Sequence, residues 1–210
     1  MVRTVAAALL VTVAGSATGQ AITGFTGGTQ FGSYYGGLID GDVVGFRFTV
    51  NQDVLVTDLG VWNGDTQIGL EGLTSDHQIG IWDSSGSLVV NGVAGPGDSV
   101  LGQWTYDSVA PTLLSTGMTY TIGALYDAGG VPDGDSYISS ATSVSSSADV
   151  NWLNSVFPSA EDLGFAFPTE DSASSSGGRF GPNFLYRPVP APASMALLGL
   201  GGVAACRRRR

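Results

Sequence analysis

The chain has no lysine, one histidine (His77) and one cysteine (Cys206), and 12% of its residues are charged, where soluble proteins average about 25%. Each shortage excludes something. A lone cysteine cannot close an internal disulfide, so packing must hold the fold. One histidine and one cysteine cannot assemble a zinc or other transition-metal site without heavy help from carboxylates. Strong helix formers are scarce, which excludes a helix bundle. The three glutamates, Glu71, Glu161 and Glu170, fall in loop-like stretches, whereas glycoside hydrolysis needs two carboxylates set at a defined separation across a cleft. There is no Gly-x-Ser-x-Gly nucleophile elbow. His77 opens an apolar alternation just before Ile79 and Ile81, and it reads as a structural or solvent-exposed side chain rather than a general base. We therefore expect a chain that is not an enzyme.

The charge that is present is lopsided. All 18 acidic residues lie between Asp40 and Asp171, while five of the eight arginines sit in the terminal segments. Residues 22–187 hold three arginines, Arg47, Arg179 and Arg187, against those acids, a net −15. Such a domain stays soluble by self-repulsion and avoids nucleic acid and anionic membrane. A divalent cation would offset part of that charge, and calcium is the cation that suits the oxygen donors here. Asp40-Gly41-Asp42 and Asp133-Gly134-Asp135 each set two carboxylates across a glycine, which permits a tight turn around a hard cation. Neither follows the twelve-residue EF-hand spacing. No other cofactor is expected.

What the chain has in quantity is glycine, 32 residues, with serine, threonine and short apolar runs that favour strands and turns. Val44, Phe46, Phe48 and Val50 alternate on one face of a strand, with Arg47 on the other. Asn51-Gln52-Asp53 turns into a second strand, Val54 to Trp62, expected to pair with the first. His77 to Asp83, a turn over Ser84 to Ser87, and the apolar run after it form the clearest hairpin. Ser99 to Tyr106, Met118 to Tyr126, Tyr137 to Val144, Leu163 to Phe167 and Arg179 to Tyr186 read as further strands. Gly24 to Gly37 reads as a loop or short edge strand, and Val150 to Phe157 as a helical turn or loop. Strands at this spacing predict an all-β, two-sheet antiparallel sandwich or jelly roll. Exposed aromatic side chains on such a sandwich could stack on sugar rings, and the candidates are Tyr34, Tyr35, Trp62 and Trp82. For the tryptophans, packing in the core or at its rim is the competing reading.

Both ends look like address labels rather than fold. Residues 1–21 carry Arg3, an apolar run from Val5 to Ala14 and then small residues, the order of a signal peptide, with cleavage after Ala17, Gly19 or Ala21. At the other end Pro188, Pro190 and Pro192 hold the chain extended. Ala193 to Cys206 follows, 14 residues with Ser194 as its one polar member, and then Arg207, Arg208, Arg209 and Arg210. As a helix that segment spans about 21 Å, short of the roughly 30 Å hydrocarbon core. It is a marginal transmembrane anchor, suited to temporary tethering, and the arginines would stay cytoplasmic.

Val189-Pro190-Ala191-Pro192, the apolar segment and the terminal arginines together resemble the PEP-CTERM sorting signal of Gram-negative bacteria, with Ala191 where glutamate is usual. The resemblance implies processing by an exosortase-type membrane protease after export through signal peptidase and the general secretion machinery. It also implies delivery to the cell surface or an extracellular matrix. A second resemblance rests on Gly45-Phe46-Arg47-Phe48, Asp58 to Trp62, Gly80 to Gly86 and Gly117 to Gly123. This string is similar to an uncharacterised class of bacterial extracellular β-sandwich modules, and it brings no known chemistry. The domain plan is thus a signal peptide over 1–21, a sandwich over 22–187 and a sorting signal over 188–210. Two functions are expected to compete: a non-catalytic surface or matrix component, and a carbohydrate-binding module for exopolysaccharide.

Overall fold

The computed structural model describes residues 18–31, 42–63, 72–126, 135–157, 164–171 and 178–190. Its strands are β1 (Gly19–Gln20), β2 (Ile22–Phe31), β3 (Asp42–Val50), β4 (Val54–Trp62), β5 (His77–Asp83), β6 (Leu88–Ala94) and β7 (Ser99–Leu101). They continue as β8 (Trp104–Leu114), β9 (Thr119–Tyr126), β10 (Tyr137–Ser146), β11 (Val150–Phe157), β12 (Glu170–Asp171), β13 (Gly178–Phe180) and β14 (Pro182–Pro188). The chain is all-β and the described residues include no helix. The hydrophobic helices expected at the two ends lie outside the described residues.

Two sheets make the sandwich, one ordered β1-β14-β4-β8-β7 and the other β12-β11-β3-β9-β5-β6, with every pairing antiparallel. The alternation of β3 places Val44, Phe46, Phe48 and Val50 in the interior, where Phe48 meets Phe184 of β14 at 5.0 Å between ring centroids. A third sheet, β13-β10-β2, closes one flank. Phe25 of β2 packs 4.8 Å from Trp62 and stacks on Phe180 at 5.6 Å, and Phe180 reaches Phe46 and Trp152. Aromatic side chains thus join all three sheets in one core, each adding to plain area burial.

The expected pairing of β3 with β4 does not occur. They enter opposite sheets, because Val50 and Val54 on either side of the Asn51–Asp53 turn are both buried. Arching across the core lets each strand bury its own apolar face against the other's. β4 keeps its face inward by a bulge at Thr57, where the register shifts against both neighbours. Val54 and Val56 precede it, Leu59 and Val61 follow, and all four are fully buried. Pro111 falls in the matching irregular stretch of β8, where a missing amide breaks no ladder bond.

Four local expectations are corrected in the same physical terms. Val150 to Phe157 is strand β11, paired with β3. A bulge at Leu153 breaks its period of two, which made the pattern resemble a helix. Ser99 to Tyr106 is two strands joined at Gly102-Gln103, with Gly102 at φ 62°, a conformation glycine adopts at little cost. Part of Gly24 to Gly37 lies in β2, a ten-residue edge strand, and 32–37 lie outside the described residues. Of the strand expected over Leu163 to Phe167, Leu163 lies outside the described residues and 164–167 are not strand. Phe165 and Phe167 instead cover Trp82 on the outer face of β5, at 5.2 and 6.1 Å. The groove they fill is a row of glycines across three strands, Gly45 opposite Gly123 opposite Gly80. A Cβ on Gly80 would come within 2.9 Å of Phe165 and 3.0 Å of Trp82. Arg47, on that same face, pairs with Asp171 and fastens the end of the strap.

Asn183 of β14 ties the flanking sheet to the main one. It is fully buried, its Nδ2 donates to the Ile22 carbonyl at 2.9 Å, and its Oδ1 accepts from the Ile22 and Phe184 amides at 3.0 and 2.9 Å. The side chain serves as a surrogate peptide group where β2 departs. Asn183→Ala strands these buried partners, and we expect a loss of about 2–4 kcal/mol, read as a lower urea midpoint with an unchanged slope.

Candidate functional site

Both described ends of the chain emerge at one pole of the sandwich. β1 pairs with β14 through Gly19 opposite Tyr186 and Gln20 opposite Leu185, so the chain enters the fold beside the strand on which it leaves. β14 is held on its other side by β4, up to Pro188 opposite Val54. Beyond it the Val189 amide still donates to the Asp53 carbonyl at 2.8 Å, and Pro190 is exposed. Val189 and Pro190 of the sorting motif are therefore seated at the rim of the domain, with no linker before them. Ala191, Pro192 and Arg207 to Arg210 lie outside the described residues.

The turns around this exit are stitched by two aspartates. The Asp53 carboxylate accepts from the Thr116 amide at 2.8 Å, fixing the turn between β8 and β9. Asp149, in the turn between β10 and β11, accepts from the Gln52 side chain at 2.6 Å, and its carbonyl accepts from the Asn51 amide at 2.8 Å. The Tyr186 hydroxyl lies 3.0 Å from Asp149 Oδ2 and 2.7 Å from Ser147 Oγ. Burial raises the Tyr186 phenol above its ordinary range, and the neighbouring Asp149 carboxylate pushes the same way. Burial also raises Tyr106. Asp53, Asp149 and Tyr186 thus link β14, the arch and both turns at this rim.

A second polar cluster is interior. His77 and Asp135 are 1% and 4% exposed. Imidazole Nδ1 lies 2.9 Å from the Leu125 carbonyl, which can only accept, so Nδ1 carries a hydrogen. Nε2 lies 2.9 Å from Asp135 Oδ2, and one proton is shared between them. The carboxylate also accepts from the Thr74 amide at 2.9 Å, and from the Ser75 amide and hydroxyl at 3.1 and 3.3 Å. Both ring nitrogens are engaged and Tyr126 lies 4.7 Å from the ring, which makes this a packed joint between β5, β9 and the approach to β10.

The remaining candidates separate. Asp135 was a candidate calcium ligand across Gly134 from Asp133, and its carboxylate points inward, where the Thr74 and Ser75 donors and His77 solvate it. Asp40 and Asp133 lie outside the described residues, and so does the side chain of Asp42. Among the described residues no three His, Cys, Asp or Glu side chains stand close enough to hold a metal ion. Trp62 and Trp82, each 4% exposed, are covered by Phe25 and by Phe165 and Phe167, so neither presents a stacking face. Tyr34 and Tyr35 lie outside the described residues. Trp152 is the one half-exposed tryptophan, lining a shallow hollow with Thr142, Ser143 and Phe180. The His77 joint was missed as a site because a lone histidine beside apolar residues gives no hint of a partner 58 positions away.

Among the described residues no helix is long and apolar enough to cross a membrane. Ala193 to Cys206, the segment expected to do so, lies beyond them. With the exit geometry in view, the class is defined by the tail. A PEP-CTERM protein-sorting motif matches residues 188–210, which makes this an exported, membrane-transiting β-sandwich protein processed by an exosortase. The chain belongs to the family described as Domain of unknown function (DUF4082), which matches residues 40–177. That range leaves out β1, β2, β13 and β14, although β14 pairs directly with β4 inside the sheet. No curated protein matches the chain.

Removing one partner of the His77–Asp135 pair leaves the other buried and uncompensated. Asp135→Ala should lose about 3–5 kcal/mol, and in a His77→Ala background it should cost clearly less. Equal costs in the two backgrounds, measured by denaturant unfolding, would show the pair to be uncoupled. In alkali the folded chain retains the Tyr106 and Tyr186 protons after the unfolded chain has released them, so stability should fall as pH rises past about 10. An ultraviolet absorbance titration should show late phenols that disappear in Tyr106→Phe and Tyr186→Phe.

Proposed function

We propose that this protein is a non-catalytic component of the cell surface or extracellular matrix, tethered by its C-terminal signal until the exosortase removes it. The observation that carries this reading is the direct join of β14 to the sorting motif, with Val189 still bonded to the domain. A sandwich fastened at the rim from which its anchor leaves stands upright on the membrane with its body outward. It asks of the cell only export and cutting. Its excess of acids keeps neighbouring copies apart and hydrated. The competing reading, recognition of exopolysaccharide, has lost Trp62 and Trp82 to the interior and would rest on Tyr34, Tyr35 and the hollow at Trp152.

Fractionation of the native host, with intact mass measured in each fraction, tests the proposal. The expected result is a released form that keeps Pro188 and lacks Cys206 and Arg207 to Arg210. A protein found solely in the membrane with those residues still attached would overturn it and leave a plain tethered domain.

A further inference from the structure

We infer that the mature chain begins at Thr18, through hydrolysis of the Ala17–Thr18 bond by signal peptidase. This rests on the export reading above and fixes its first processing step. Beyond the apolar run, three bonds follow an alanine or glycine with another alanine or glycine two places earlier: Gly15 and Ala17, Ala17 and Gly19, or Gly19 and Ala21. A signal peptidase reads little else near the bond, so pattern alone does not choose among them.

The fold does. Ala21 is fully buried, its amide donates to the Phe184 carbonyl at 3.0 Å, and its carbonyl accepts from the Ser147 amide at 3.0 Å. Cutting after Ala21 would delete β1, break both of those bonds and uncover the β14 edge at Leu185 and Tyr186. It would also convert the Ile22 nitrogen into an ammonium. That nitrogen is in a residue 1% exposed and has Asn183 Oδ1 at 3.0 Å as its acceptor. One amide acceptor suits one N–H and leaves a buried charge with two further donors unsatisfied, a costly arrangement. Cutting after Gly19 would remove half of β1 and the one residue shaped for its place, since a Cβ on Gly19 would come within 2.6 Å of the Tyr186 ring. Thr18 precedes the pairing and is exposed. An ammonium there is solvated, and every bond of the rim survives. In the hydrolysis, water gives its hydroxyl to the Ala17 carbonyl and its proton to the departing Thr18 amine.

Export of the full precursor followed by N-terminal sequencing of the released protein tests this. A start at Thr18 supports it. A start at Gln20 or Ile22 overturns it while leaving the export reading intact, and a chain still beginning at Met1 overturns both. Ala17→Tyr changes a residue absent from the mature domain, so folding is spared. It should slow processing at least tenfold, and cleavage at the wild-type rate would place the cut elsewhere.

Discussion

β14 lies between β1 and β4, and this placement is the constraint on which the rest of the structure depends. The last strand before the sorting motif supplies the hydrogen bonds for the first strand of the domain, and its Phe184 and Asn183 face the core and the flanking sheet. Asn183 and Ile22 are 161 positions apart, so closing the fold means closing nearly the whole chain. Long-range pairing of this kind carries a loop-closure cost before any contact repays it. The domain can be completed only when residues up to Pro188 are at hand to pair with β1 and β4.

The scarcity of charge and the absence of a disulfide are met by the same device, aromatic packing between three sheets. Phe25, Phe46, Phe48, Phe180 and Phe184 touch across all of them. The interior admits few polar groups, and several of them are matched: His77 with Asp135, Asn183 with Ile22, and Ser155 with the Arg179 amide at 2.8 Å. Apart from Asp135, the acids among the described residues stay near the surface, where turns use them as acceptors. Asp83, for example, takes the Ser85 and Ser87 amides at 2.8 and 3.1 Å, and its hydrogen bonds with Ser85 and Ser87 hold its carboxyl below the usual range.

Much of this was legible in the residues. Period-two alternation announced β3, β5 and β9, and glycine turns announced the hairpin of β5 with β6. The reading failed where a bulge shifted the period, as at Leu153, and where an arch stood in for a hairpin, as at Asn51 to Asp53. A turn of three residues suits either geometry, and only the burial demanded on both sides of it decides. The strap of Phe165 and Phe167 was invisible for a related reason. Its groove exists only when Gly45, Gly123 and Gly80 come into line from three separate strands.

The sequence by itself determined the class of fold and the route of the chain, because alternation, turn residues and a charged apolar tail are local signals that need no partner. Tertiary structure decided which strands are neighbours, which tryptophans are hidden and where the two ends meet. Those outcomes depend on how apolar faces far apart in the chain share one interior, and no window of neighbouring residues contains that information.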